Sequence, residues 1–280
     1  MHGSIRGSGW LTRVWGLWLP LAVVLVWFGA ARAGPGLAIE GHQIALPRIL
    51  APPSWHGSAE GWAGFDALGR SVAERLVSGA TTSLLVAVVV ISVSLVAGVA
   101  IGGLSGYTGG VVDLVVVRII DVFLAFPGIL LAIALAAVLG PGVNNVVIAL
   151  AAVGWVGFAR ITRAQALSLK SHPHVVAARA LGVPAHRIVS RHIVPLTAAP
   201  LIVEATFGIA SVVIAEAGLS FLGLGVQPPR ASWGSILLEG TRYMLVAPHL
   251  VLAPAMAICL TVLSVNLLGD RVRDWLDVRN

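Results

Sequence analysis

Residues 81–104 read TTSLLVAVVVISVSLVAGVAIGGL, twenty-four positions without a single charged side chain. About 20 mainly apolar residues in helical form are enough to cross roughly 30 Å of hydrocarbon. The stretch therefore predicts a transmembrane helix, and the rest of the chain agrees with it. Of 280 residues, 58% are hydrophobic and only 11% are charged, whereas about a quarter of a soluble domain is charged. So few charges cannot cover a water-exposed surface of this size. A soluble enzyme, a disordered chain and a nucleic-acid-binding domain are excluded, and an all-α integral membrane protein is expected.

Working outward, six stretches qualify as spans: 15–31, 81–104, 119–139, 143–159, 201–219 and 247–268. The third holds Asp121 near its start and Pro127 further in, the fourth opens on Asn144 and Asn145, and the fifth carries Glu204 and Glu216. The first has a rival reading as a secretory leader, with Arg6 and Arg13 before the apolar run and Ala31-Arg32-Ala33 after it. Its length favours a retained helix. With the N-terminus inside, twelve of the 18 basic residues fall on the cytoplasmic side and six outside. The positive-inside rule then places both termini in the cytoplasm of a multi-pass protein of the cell membrane. The expected order is a cytoplasmic N-terminus at 1–14, an external loop at 32–80, a cytoplasmic loop at 160–195, an external loop at 220–246 and a cytoplasmic C-terminus at 269–280. Cys259 is the only cysteine, so no intrachain disulfide exists.

The loop at 160–195 decides the orientation, with six basic residues and no acid. Val175–Leu181 is rich in helix formers, Gly182 stops it, and Pro184 opens a second short helix. Two short helices around a tight turn make a compact knuckle. A basic loop can simply touch anionic headgroups, and arginines on paired helices can resemble a DNA reader. A loop anchored at both ends has little freedom to dock on DNA, and the apolar Val-Val-Ala-Ala run fits a protein groove better.

At this point the chain resembles the permease subunits of binding-protein-dependent ABC importers. Their signature runs Glu-Ala-Ala, three residues, Gly, and ends on Pro; it falls on Val176, Ala177, Ala178, Gly182 and Pro195, with Val176 in place of the Glu. Arg179, Ala180, Leu181, Arg187, Arg191 and His192 complete the segment. Phe65-Asp-Ala-Leu-Gly-Arg70, Gly106-Tyr-Thr-Gly-Gly110 with Asp113, Arg118 and Asp121, Phe126-Pro127, Glu216-Ala-Gly-Leu-Ser-Phe-Leu-Gly-Leu-Gly225, Ser232-Trp-Gly234 and Asn266-Leu-Leu-Gly-Asp270 are similar to the C-type permease of the dipeptide, oligopeptide and nickel subfamily. The resemblance covers roughly residues 65–280. It implies six helices of the type I importer kind, with a coupling helix between spans four and five. It also implies a second homologous permease, two ATPase subunits that bind ATP and Mg, an external binding protein, and peptides or nickel as cargo. No cofactor is expected on this chain itself.

Other residues carry narrower expectations. Gly98, Gly102 and Gly106 have the four-residue spacing that lets helices approach closely. Asp121, Glu204 and Glu216 lie near predicted span ends, where snorkelling makes a charge affordable; they read first as structural or partner-interface residues and, with Phe126 and Pro127, also as candidates for a translocation path or its gate, Pro127 being placed to bend the third span. His172, His174, His186 and His192 lack zinc-site spacing and read as solvated loop residues. There is no His-Glu-x-x-His and no phosphate loop, so a non-catalytic chain is expected. A self-sufficient secondary transporter is the rival class, but no internal repeat supports it. The loop after Ser220, with its glycines, Pro228-Pro229 and Trp233, is read as either a docking surface or a cap over the helices.

Overall fold

A computed structural model describes residues 9–33, 44–54 and 61–277; the expectations for Arg6 and for the first eight residues lie outside them. Among the described residues the only β pairing is an isolated bridge between Phe65 and Ser71. Ten α-helices carry the rest: α1 Gly9–Ala33, α2 Val72–Thr108, α3 Gly110–Leu124, α4 Gly128–Leu139, α5 Val143–Leu169, α6 Pro173–Ala180, α7 Ala185–Ile188, α8 Ala198–Phe221, α9 Trp233–Thr241 and α10 His249–Asp277. A π turn and a 3-10 turn, Val189–Ile193 and Val194–Thr197, join α7 to α8.

Helix ends follow local chemistry. Ser71 caps α2 by accepting the Glu74 N–H, and Gly109 ends it at φ +68°, a region open to glycine. The helix has 37 residues, which at 1.5 Å each is about 55 Å. Its ends therefore stand beyond the hydrocarbon, longer than the predicted 81–104. Likewise α5 continues through Arg160 and Arg163 to Leu169, so the basic loop begins ten residues later than expected. Asn145 does not weaken its span: its side-chain amide donates to the Leu139 and Gly140 carbonyls at 2.8 and 3.0 Å, satisfying the end of α4.

Among the described residues, four helical runs are long and apolar enough to cross a membrane: α2, α5, Ala185–Phe221 and His249–Leu276. A fifth exists only if α3 and α4 count as one span, because they meet at 87°. The apolar part of α1, Pro20–Arg32, is shorter. Of the six stretches expected from hydropathy, four fall on these long helices, the third on the broken pair and the first on α1. Hydropathy sums residues along the chain and is blind to a bend. Pro127 supplies the bend: it has no N–H to donate back into α3 and holds its predecessor away from helical geometry. It lies at the break, within the predicted 119–139 stretch.

The bundle is organised around α2 against α5. A Cβ on Gly98 would meet Phe158 Cβ at 2.5 Å and the Trp155 carbonyl at 2.6 Å; one on Gly106 would meet the Arg163 carbonyl at 2.6 Å; one on Gly102 would strike the Ala159 backbone. Backbone-to-backbone packing of this kind requires glycine. Leu84, Val90, Val146, Phe158, Leu201, Val213 and Trp233 form the main core, while Val96, Val111, Val138 and Leu252 point outward as a lipid-facing surface would.

Candidate functional site

An open cleft of about 710 Å³ lies between α3, α5 and α8, lined by Asp121, Gly157, Arg160, Arg163 and Glu204 among apolar neighbours. A smaller recess of about 190 Å³ shares Gly157 and Arg160 and adds Phe123, Phe126 and Gly128 from the broken pair. Of the residues expected on a path, the fold therefore brings Asp121, Glu204 and Phe126 together.

The four charges in this cleft are not equivalent. Arg163 is committed: its Nε and Nη2 donate to both Asp113 oxygens at 2.6 and 2.7 Å, and the Ser105 hydroxyl adds a third bond at 2.7 Å. That pair ties α5 to α3 and, through Ser105, to α2. Asp121 lies 3.8 Å from Arg118 in an exposed pair, a geometry worth little. Among the described residues Arg160 and Glu204 make no hydrogen bond or ion pair. The Glu204 carboxylate rests on Gly157 of α5, where a Cβ would strike it. An unpaired charge facing hydrocarbon would be costly. The open side of the cleft is accordingly a face for water or protein.

Glu216 falls on the structural side of its two readings. It neither lines the cleft nor reaches toward solvent, but is fully buried. Its two oxygens accept the Ser83 and Ser220 hydroxyls at 2.8 and 2.7 Å. Those hydroxyls accept in turn: Trp233 N–H donates to Ser83 at 3.3 Å and Val226 N–H to Ser220 at 3.2 Å. The carboxylate thereby fastens the segment after α8 to the bundle. Trp233 is buried, donates from its indole to the Leu76 carbonyl and meets Trp27 edge-on. Around α9 the segment thus acts as a cap, while Leu245 and Val246 beyond it stand exposed.

A second anchor at this end escaped the sequence reading. Arg75 is 4% exposed and donates to Asp66 at 2.7 Å and to both Glu239 oxygens at 2.6 and 3.0 Å. Arg70 joins the same acids at 2.7 and 3.1 Å. Asp66 and Arg70 were visible only as part of a motif; the Glu239 partner of both arginines lies more than 160 positions away, and no local signal names it.

At the opposite end, α6, Gly182 at φ +75° and α7 form a knuckle. Its apolar face is split, which the sequence did not reveal. Val175, Ala178, Ile188, Val189 and Ile193 are buried against Ala166 and Leu169 of α5, so Ala178 faces its own chain, not a partner. Val176 and Leu181 are 52% and 84% exposed, and Ala177, Arg179, Ala180, Gly182, Arg187, Arg191 and Pro195 are exposed with them. His192 is half-buried; its ring neighbours that of His174, which in turn meets His172. No group of three or more potential metal ligands is assembled among the described residues.

The described residues thus form an apolar helical bundle, with helices long enough to cross a membrane and an open cleft that gathers charged side chains. The chain belongs to the family of binding-protein-dependent transport system inner membrane components, which matches residues 98–280. It is 42% identical over 220 residues to a dipeptide transport system permease protein, DppC, of Alkalihalophilus pseudofirmus, covering 79% of this chain and 72% of that one. It is 43% and 46% identical, over 79% of this chain and 73% of each relative, to the glutathione transport system permease proteins GsiD of Pectobacterium atrosepticum and Escherichia coli. Its fold is similar to a chain from the inward-facing MetNI methionine ABC transporter, with a TM-score of 0.57 at 20% identity over 71% of this chain and 94% of that one. The motif resemblance and the type I importer fold expected from it are thereby met.

Proposed function

We propose that this chain is one of two permease subunits of an ATP-driven importer of small peptides. The observation that carries the reading is the open, charged cleft in a membrane-spanning chain similar to dipeptide and glutathione permeases. The knuckle end is cytoplasmic in this reading, as are both termini. The exposed Val176, Leu181 and their basic neighbours seat on an ATPase subunit, while ATP and Mg are bound by that partner. The capped α9 end faces an external binding protein, and the cleft is completed by the second permease.

Motion has a continuous route. Displacement of the knuckle passes to α5 through the seam of Val175, Ile188 and Ile193 on Ala166 and Leu169. From α5 it passes to α3 through Arg163 and Asp113. Both helices line the cleft, so tilting them changes its access. The break at Pro127 lets α3 move without carrying α4 rigidly with it. An alternating-access cycle needs only that ATP and cargo bias these two arrangements differently.

The test is reconstitution. The chain is expected to co-elute with an ATPase subunit and a second permease, and the assembly to take up peptide into proteoliposomes only with ATP and binding protein. Uptake by this chain alone would overturn the reading.

A further inference from the structure

Among the cleft charges, two of opposite sign remain uncommitted within one helical turn of each other. Glu204 sits on Gly157, and Arg160 follows Gly157 by three residues on the same face of α5. Arg163 already has its charge matched and its side chain held by the two-pronged bond to Asp113. Asp121, on the α3 wall, keeps Arg118 nearby and adds negative potential to the Glu204 side. Unpaired charges facing hydrocarbon are expensive, so this pair calls for water, protein or a ligand in the cleft. The volume, about 710 Å³, is of the size that holds small organic ligands. Phe123 and Phe126 in the adjoining recess offer apolar surface for a side chain.

We propose that Arg160 and Glu204 form a transit site for zwitterionic peptides, in which Arg160 receives the free carboxylate and Glu204 the free α-ammonium. The proposal rests on the import reading and adds a specificity rule to it: cargo is checked for both termini inside the membrane, after release from the binding protein. Gly157 is part of the site because any side chain there displaces the Glu204 carboxylate.

The test uses the whole transporter with its binding protein in proteoliposomes, and three probes: dialanine, dialanine amide and N-acetyl-dialanine. The same binding protein serves every variant, so its own preference cancels in each variant-to-wild-type ratio. Arg160→Gln is expected to cut dialanine uptake about tenfold, the scale of one lost charge-assisted bond, while uptake of the amide stays within twofold of its own wild-type rate. Glu204→Gln is expected to do the same to dialanine but not to the N-acetyl form. Gly157→Ala, which removes no charge, is expected to follow the Glu204→Gln pattern, and Arg160→Lys to keep most dialanine uptake. An equal loss for all three probes would show an ion pair with the neighbouring permease in place of a ligand site and would overturn the proposal; so would no loss at all. Absence of ATP-driven uptake by the wild-type assembly would instead sink the import reading beneath it.

Discussion

Replacing Glu216 by glutamine tests how the cap is fastened. In the native arrangement each of two buried hydroxyls donates to a Glu216 oxygen and accepts a backbone N–H, Ser83 from Trp233 and Ser220 from Val226. All four hydrogens have acceptors because the carboxylate donates none. In Glu216→Gln one oxygen becomes an amino group with two hydrogens. It faces a hydroxyl that must then turn its own hydrogen elsewhere, leaving one buried donor unmet, at about 1–3 kcal/mol. Glu216→Leu orphans both hydroxyls, roughly doubling that loss, and the same leucine combined with Ser83→Ala and Ser220→Ala removes the orphans along with their partner. The triple variant is therefore expected to be more stable than Glu216→Leu alone, a non-additive result typical of one network. Thermal unfolding of the purified assembly reads this directly: chains of 150–250 residues lose about 2–4 °C per kcal/mol. Additive effects within about 0.5 kcal/mol, or an unchanged midpoint for Glu216→Gln, would refute the argument. A second readout is proteolysis of the 223–231 segment, which is expected to quicken in Glu216→Gln.

Three further outcomes follow from the packing. Gly102→Val should force α2 off the Ala159 backbone and cost about 1–3 kcal/mol or more of stability, seen as a lower unfolding midpoint, whereas Gly218→Ala, with open space around it, should be close to neutral. Asp113→Asn should weaken the α3–α5 tie by about 1–3 kcal/mol and lower the uptake obtained per ATP hydrolysed; a charge-reversed pair, Asp113→Arg with Arg163→Asp, should recover part of it. Gly182→Val has room for its side chain but must hold φ near +75°, a strain of about 1–3 kcal/mol. It is expected to leave membrane insertion intact while uncoupling hydrolysis from uptake in vesicles, and normal uptake would count against the knuckle's role.

The limits of the one-dimensional reading show in individual residues. Gly98, Gly102 and Gly106 were legible as a packing stripe because helical periodicity puts residues four apart on one face. The helix they meet, α5, was not written in that spacing. The knuckle was legible from its glycine and prolines, but which half of its apolar face turns inward was not. Its short helices carry apolar residues on both sides, and only the Ala166–Leu169 surface selects Val175 and Ala178. Asp121 and Glu204 were noticed as costly charges. Arg160 was counted only as a topological signal, because the end of α5 lies beyond the end of its apolar run.

Alone, the sequence determined that the chain lives in a membrane, where its apolar segments fall, and which family its motifs match. Those properties are local: each depends on the composition of twenty residues or the spacing of a few. Tertiary structure alone decided what each charge does. Glu216 turns inward to two serines, Arg163 finds Asp113 fifty positions away, Arg75 meets Glu239, and Arg160 and Glu204 are left facing an open cleft. The physical reason is that hydropathy is a sum along a helix and carries no information about its rotation. A charge's cost and use depend on which way it points, and that is set only when the helices pack.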